Sequence, residues 1–302
     1  MYKNEEIGIS IIIPTFNRSK ELKRAIKSVV DQTYTSWELL IIDNYSTDDT
    51  QKIVDSFRDN RISLIQIENS GVVAMSRNKG IEQSKGKYLA FLDSDDWWVK
   101  EKLQKSIEFL ESGSDIVYHD LKVKYEDPFL FFSSKRARTR ELESPIFKDL
   151  MFKGNAITNS SVVVRKSLIQ EINGFSEDKD MVGCEDFDGW IRLSKLTERF
   201  KKINSTLGFY SVGTSNLSSH YRSILNIKSM RRRYIQYLGN ESNLPLWVLY
   251  KLARANNGTR DYSASIKFCK LFLKEKSEWS LKIKIIYTLF NSIIRHNFNI
   301  IR

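Results

Sequence analysis

The chain has 302 residues, 41% hydrophobic and 28% charged, a balance ordinary for a globular protein and sufficient for one large core plus an appended part. No stretch approaches eighteen apolar residues without a charge, so a membrane-spanning helix is not expected, and Met1–Glu6 lacks the basic-then-apolar order of a secretory signal. The net charge of +11 is lopsided: Tyr221–Arg302 holds 16 Lys and Arg against 4 Asp and Glu, leaving 32 basic against 33 acidic groups elsewhere, so the excess belongs to the tail.

In chain order, Ile9–Ile13 is a β-branched run that stops at Pro14, and Lys20–Gln32 follows as a helix with Leu22, Ala25, Ile26, Val29 and Val30 on one face. Trp37–Ile42 is a second strand, and Ser46–Thr50 offers caps for a helix through about Phe57. Ile62–Ile67, Val72–Gln83 and Lys87–Leu92 continue as strand, helix, strand. This alternation predicts an α/β protein with a mainly parallel sheet flanked by helices. Beyond it, Lys100–Glu111 reads as helix, Ser114–Tyr125 as strand or hairpin, Ser160–Val164 as strand and Glu185–Lys195 as helix. Ser133–Arg140 is a basic loop, either simply solvated or a mobile clamp on phosphate. After Leu207–Tyr210 the pattern is helical to the end, with no internal repeat. Cys184 and Cys269 lack metal-ligand spacing and are expected as unpaired thiols in a reducing cytosol.

Polar groups gather where the strands end. Thr15 and Asn17 follow the first strand, Asp43 and Asn44 the second, and Asp93-Ser94-Asp95-Asp96 the fourth, the edge at which open α/β sheets bind ligands. Three carboxylates in four residues repel one another beside a core strand, and a divalent cation relieves them. Mg²⁺ or Mn²⁺ shares one or two protein carboxylates with substrate phosphates, which points to a nucleotide-diphosphate substrate. The plainer alternative for this segment is a helix N-cap followed by a solvated acidic turn. Pro14-Thr15-Phe16-Asn17-Arg18 has neither the Gly-x-Gly-x-x-Gly turn of dinucleotide enzymes nor the P-loop, so a glycine-rich phosphate cradle is excluded.

Ser10–Arg18, Ile41–Asp48, Ala74–Gly80, Phe91–Asp96 and Glu185–Arg192, in this order, resemble the family 2 glycosyltransferases over about residues 8–218. The resemblance implies a GT-A, Rossmann-like catalytic domain over 1–218, with a nucleotide-sugar half near 1–98 and an acceptor half near 99–218. Residues 219–302 are then a helical basic extension. It further implies a nucleotide-sugar donor, a divalent metal and inversion at the anomeric carbon. Carried over, Asp43 binds the uracil ring, Pro14 and Thr15 line the nucleoside pocket with Asn17 and Arg18 beside them, and Arg77 lies near ribose and pyrophosphate. Asp93 and Asp95 form the ends of an Asp-x-Asp motif, with Asp95 the direct metal ligand, and Asp186 takes the place of the catalytic base. Glu185 and Asp188 are rivals for that role, the plainer reading of the cluster being helix capping with an ion pair to Arg192. Trp190 either stacks on an acceptor sugar or packs the core. Two departures stand out: Asn44-Tyr45 replaces an Asp-Gly pair, losing glycine's backbone freedom, and Gly213 lies where many relatives carry a metal-binding His. His220 reads as a surface histidine.

Direct inversion requires a base on the acceptor side and charge stabilisation on the leaving side. Carboxylates at the start of Glu185–Lys195 are favoured there by the helix dipole. The basic tail, with Arg231-Arg232-Arg233 and apolar runs such as Leu246–Tyr250 and Ile283–Phe290, reads as amphipathic helices. They fit a membrane surface, or ordinary solvated packing; no base-stacking or groove-reading motif supports nucleic acid. Bacterial members of the resembled family commonly extend sugars on undecaprenyl diphosphate at the cytoplasmic face. The expectation is therefore a peripheral enzyme moving glucose from UDP-glucose, in β linkage, to a lipid-diphosphate-linked sugar during O-antigen or surface-polysaccharide assembly. UDP-galactose and UDP-N-acetylhexosamine are alternative donors. A sugar nucleotidyltransferase would normally want a glycine-rich basic loop after strand one, which this chain lacks; a non-catalytic membrane adaptor would depend on Arg231–Arg233 and not on Asp186.

Overall fold

The computed structural model describes residues 7–125, 136–137, 139–212, 219–239 and 243–300. Its first part alternates β1 (Ile9–Thr15), α1 (Ser19–Val30), β2 (Trp37–Asp43), α2 (Thr50–Ser56), β3 (Ile62–Gln66), α3 (Val73–Gln83) and β4 (Tyr88–Phe91). There follow β5 (Trp97–Trp98), α4 (Lys102–Glu111), β6 (Ile116–Tyr125), β7 (Arg136–Ala137), α5 (Ile146–Lys153), β8 (Val163–Arg165), α6 (Lys166–Glu171), α7 (Glu185–Leu193) and β9 (Phe200–Val212). The sheet order is β3-β2-β1-β4-β8-β6-β9-β5, with β7 on β6. β3, β2, β1 and β4 run parallel, β8 is antiparallel to both β4 and β6, and β9 is parallel to β6.

The strands of the parallel half are apolar on both faces because helices cover both: β1, β2 and β4 are buried along their whole length. Ile11, Ile13, Leu39, Ile41 and Ala90 join Leu22, Ile26 and Val29 of α1 in one core cluster, each fully buried aliphatic side chain contributing roughly 1.5–3 kcal/mol. β1 runs past Pro14 and does not end there. Thr15 accepts from Asn44 on the β2 side while Ile12 accepts from Leu92 on the β4 side, so Pro14, like Ile12, would aim its N–H toward β4. Pairing with β4 has already ended at Ile12↔Phe91, so no ladder bond is lost. The register then sets Thr15 beside Asp43, and Asp93 two residues beyond β4, which brings three strand ends to one edge. On the helical layer, Gly80 lets α3 approach β1 closely: a Cβ there would lie 2.6 Å from Ile12.

Several expectations need correction. Ser160–Val164 is a 3-10 turn at Asn159–Ser161 leading into β8 at Val163, and a long strand, β9, precedes the helical tail. Of the basic segment Ser133–Arg140, Arg136–Ala137 forms β7, Thr139 is buried and the Arg140 carbonyl accepts from Tyr118; residues 133–135 and 138 lie outside the described residues. Gly213 also lies outside them. The chain divides into two units: residues 1–146, 156–178 and 185–214 form the first, and residues 147–155, 179–184 and 215–302 the second, so the division is not a single cut at 218.

The second unit contains α8 (His220–Arg233), α9 (Ile235–Leu238), α10 (Leu246–Gly258), α11 (Tyr262–Lys274) and α12 (Trp279–Ile300). Its own core is built on Ile227, Val248, Leu252, Phe268, Phe272 and Ile285. His220 is exposed, and its ring lies where a Cβ on Gly258 would be. Both cysteines are buried. Among the described residues no helix is long and apolar enough to cross a membrane.

Candidate active site

The loops after β1 and β2 are knitted together. Asp43 is buried, and its carboxylate accepts from the Ser46 backbone N–H at 3.1 Å, from the Ser46 hydroxyl, and from Gln66 Nε2 at 3.3 Å. Ser46 Oγ in turn accepts from the Asn17 N–H at 2.8 Å, and Asn17 Oδ1 accepts from the Thr47 N–H at 2.8 Å. The Asn17 side-chain oxygen thus clasps the loop after β1 to the loop after β2. Asn17 and Tyr45 both adopt left-handed backbone, with φ of 50° and 53°. Asn tolerates that conformation through its short polar side chain, whereas a tyrosine there is strained. The conformational freedom lost with glycine at Tyr45 is thus not avoided by the fold; the strained conformation is kept. Thr15 is buried beside Asp43 with its hydroxyl unpartnered, and Pro14 is buried next to it.

The β4 end is a dense anionic corner. Asp95 pairs with Arg18, and the Arg24 guanidinium donates to the Asp95 carbonyl at 2.7 Å while lying 3.7 Å over the Trp97 ring. Burial and the neighbouring Asp93 push the Asp95 carboxyl up, with Arg18 opposing. Asp96 is buried with Oδ1 accepting from the Ser211 N–H at 2.9 Å and Oδ2 unpartnered; burial first, then Asp93 and Asp95, push it well up. Tyr210 on β9 feels the same field: burial, then Asp96, Asp93, Asp95 and Asp186, raise its phenol to about 12. One side chain thus lies within the electrostatic reach of four aspartates from β4's end and α7.

Arg77 fastens this corner to α7. Its guanidinium donates to Asp93 Oδ1 at 2.8 Å and to Glu185 at the first position of α7, and both ends of the Glu185 pair are nearly inaccessible. Burial opposes its charge, but Asp93, Glu185 and Asp186 together hold it firmly protonated. Enclosed in this way, Arg77 braces carboxylates from β4's end and the start of α7. Asp186, the next residue, is partly open to solvent, and Oδ1 accepts from its neighbour Phe187 N–H at 2.7 Å. Crowding by protein raises its carboxyl to about 7, Glu185 adding to the shift and Arg77 reducing it. The rivals are otherwise engaged: Glu185 holds Arg77, and Asp188 is wholly buried against Arg192 Nε at 2.8 Å. Arg192 also donates to the Gly174 carbonyl at 2.8 Å, so this ion pair anchors the Gly174–Phe175 turn. Trp190 is wholly buried among Phe91 and Phe175, with ring centroids 6.4 and 5.7 Å away. It packs the core beneath the site and offers no face to an acceptor sugar.

Asp93 and Asp95 fit a divalent cation on two counts. Asp95 and Asp96 are pushed up by burial and by the neighbouring carboxylates, a negative field that a cation relieves, and the Asp93 side chain remains 34% exposed. No group of three His, Cys, Asp or Glu side chains able to hold a metal occurs among the described residues, so such an ion would complete its shell from diphosphate and water. Sequence reasoning did not find Asn159, Ser160 and Tyr210. Asn159 Nδ2 donates to Asp93 at 3.3 Å and the Asp93 N–H donates to Ser160 Oγ at 3.1 Å. Only the polarity of Asn159-Ser160-Ser161 inside an apolar stretch could have signalled them.

A parallel nucleotide-type half sheet, antiparallel strands beyond it and carboxylates converging at the parallel strand ends define a GT-A type glycosyltransferase fold. The chain belongs to the family described as Glycosyl transferase family 2, which its residues 10–172 match. It is 40% identical over 108 residues to TuaG, a Bacillus subtilis protein assigned to teichuronic acid biosynthesis, covering 35% of this chain and 43% of that protein. It is 30% identical over 251 residues to the UDP-Glc:alpha-D-GlcNAc-diphosphoundecaprenol beta-1,3-glucosyltransferase WfgD of Escherichia coli, covering 81% of this chain and 90% of WfgD. Among solved structures, the Pyrobaculum calidifontis mannosyltransferase PcManGT, in complex with GDP-Man and Mn²⁺, matches at a TM-score of 0.58 and 14% identity over 96% of this chain and 87% of that one. This last likeness concerns the fold. The chain spans less than half the length of TuaG.

Proposed function

We propose that this chain is an inverting glycosyltransferase that moves a hexose from a UDP-sugar, glucose in the first instance, in β linkage onto a sugar-diphospho-undecaprenol acceptor in O-antigen or surface-polysaccharide synthesis. The observation that carries the reading is the Arg77 brace. It ties Asp93 at the end of β4 to Glu185 at the start of α7, and so fixes Asp186 at the same corner as the Asp-x-Asp segment. The family supplies glycosyl transfer, and WfgD's specificity supplies the donor and acceptor class.

In this reading Asp43, its carboxylate oriented by Ser46 and Gln66, has remaining acceptor capacity for the uracil N3–H. Pro14 and Thr15 line the nucleoside pocket at the end of β1, beside Asp43. Mn²⁺ or Mg²⁺ held by Asp95 and Asp93 would stabilise the charge that grows on the departing diphosphate. Arg18, beside Asp95, adds a positive charge on the leaving side. Asp186 takes the acceptor hydroxyl proton as the new bond forms on the face opposite the leaving UDP. A carboxylate raised to about 7 is a stronger base than an ordinary aspartate yet still ionised in half or more of the molecules at neutral pH. The acceptor's lipid places the protein at the inner face of the cell membrane, with the basic second unit toward anionic lipid.

The test is a panel of UDP- and GDP-sugars with a synthetic lipid-diphosphate sugar, with and without chelator. UDP release that depends on Mn²⁺ or Mg²⁺ and is greatest with UDP-glucose supports the reading. Greater release with UDP-galactose or a UDP-N-acetylhexosamine replaces the donor, and pyrophosphate release in place of UDP sinks it in favour of a nucleotidyltransferase.

A further inference from the structure

Helix α12 is apolar on two faces: Ile285, with Leu281 and Leu289 beside it, packs into the core of the second unit, and a second apolar stripe is exposed. Its inward face places Thr288 and Ser292 against the bundle: the Ser292 hydroxyl is fully buried, lies 2.9 Å from Ser265 Oγ and accepts from Asn257 Nδ2 at 2.7 Å. Its outward face bears Trp279 at 77%, Ile283 at 62%, Tyr287 at 69% and Phe290 at 65% exposure, with Ile286, Ile293 and Ile294 also exposed. At about 100° per residue these seven side chains fall within an arc of roughly 120°, one continuous stripe along the helix. Water would normally select a polar outer face.

The charges on the helix say what covers the stripe. Residues 279–300 contain Lys282, Lys284 and Arg295 and no acidic residue. On the same projection Lys282 lies about 20° outside one edge of the arc, and Lys284 and Arg295 lie about 60° and 80° outside the other, positions from which long basic side chains snorkel from an apolar layer to phosphates. A hollow of about 610 Å³ flanks the stripe and is lined by His220, Arg254, Lys284, Ile283 and Tyr287, so cationic groups and apolar surface adjoin there too. Trp and Tyr suit the bilayer interface because each has an apolar ring and a polar tip. A second copy of this chain fits less well, since isologous pairing would set two helices that carry Lys282, Lys284 and Arg295, and no acidic residue, face to face.

We propose that this face of α12 lies in the plane of a bilayer containing anionic phospholipid, its seven apolar side chains among the acyl chains and its flanking Lys and Arg at the phosphates. This deepens the membrane-proximal part of the proposed function and assigns it to one helix face instead of the diffuse charge of the tail.

The whole chain is sedimented with phosphatidylcholine vesicles, alone or with phosphatidylglycerol, at low and high salt. The expected result is binding to the mixed vesicles, a loss of about tenfold or more in the Tyr287→Glu/Phe290→Glu variant, and a smaller, salt-sensitive loss in Lys282→Gln/Lys284→Gln. Because the substituted side chains are exposed, the thermal unfolding midpoint should not change. Turnover of a water-soluble acceptor analogue should also be unchanged, which separates failure here from failure of the catalytic reading. Vesicle binding by the Tyr287→Glu/Phe290→Glu variant equal to wild type overturns the proposal. So does a wild-type dimer that ignores vesicles and becomes monomeric in that variant, which would make the stripe a protein interface.

Discussion

The carboxyl of Asp186 rises to about 7 because protein crowds it and Glu185 adjoins it, while Arg77 restrains the shift. As a base it must be ionised, so turnover is expected to climb with pH through a single ionisation near 7 and to fall by about 10²–10⁴-fold in Asp186→Asn. The same shift has a stability consequence. A native carboxyl with a raised pKa binds more protons than the unfolded chain between about 4 and 7, so its contribution to stability falls as pH rises through that window. Asp186→Asn should therefore unfold at a higher temperature than wild type at pH 8, with the advantage gone by about pH 4. Arg77→Met removes the restraint and leaves Glu185 buried without its partner. Denaturant titration should show a loss of about 3–5 kcal/mol. If the variant remains folded, the pH–rate midpoint should move above that of wild type; a downward shift would contradict the brace. The aspartates of this site were legible because short acidic runs directly after apolar strands are conspicuous. The engagement of Arg77 was not, since its partners lie 16 and 108 positions away. Trp190 looked equally apt for a sugar or a core, and only packing against Phe91 and Phe175 decides.

Helix α3 carries Arg77 on the side that Gly80 brings against β1. Gly80→Ala would drive a methyl to 2.6 Å from Ile12 Cγ2, which forces helix or strand to shift. Overpacking of this kind should cost about 1–3 kcal/mol in chemical denaturation and lower turnover by displacing the brace. Wild-type stability in that variant would mean that α3 can slide on the sheet. Strands β1 to β4 were readable from sequence because each is a short apolar run between turn residues. β9 was not: Phe200–Val212 mixes Lys, Asn, Ser and Thr with apolar residues and is only partly buried. It is ordered by parallel pairing with β6, about 80 residues earlier, which no local pattern encodes. β5, two tryptophans long, is below what periodicity can resolve.

Acid should weaken the first unit through groups outside the site. His119 on β6 is fully buried, with Nδ1 3.0 Å from the Asp120 carbonyl and Nε2 unpartnered. Burial, then the nearby Lys102, lowers its pKa to about 3. The unfolded chain takes up this proton near 6.5 and the native state only near 3, so stability is fully present above about 6.5 and falls as pH drops toward 3. His119→Gln should flatten that dependence in urea titrations between pH 4 and 7; an unchanged slope would show that other groups set it. Lys102 itself is buried with Nζ 3.9 Å from the Trp98 ring centroid and no hydrogen-bond partner, and burial pushes its pKa well down, so only the aromatic face offsets the cost of its charge.

At the scale of the molecule, one corner of the sheet and the helix start at Glu185 are held to act together. The most direct measurement is the anomeric configuration of the product, read by NMR coupling after wild-type chain, UDP-glucose, Mn²⁺ and a synthetic sugar-diphospho-lipid are incubated, with Asp186→Asn in parallel. A β-linked disaccharide from wild type and essentially none from the variant is the expected outcome. An α-linked product, or a variant as active as wild type, would contradict it.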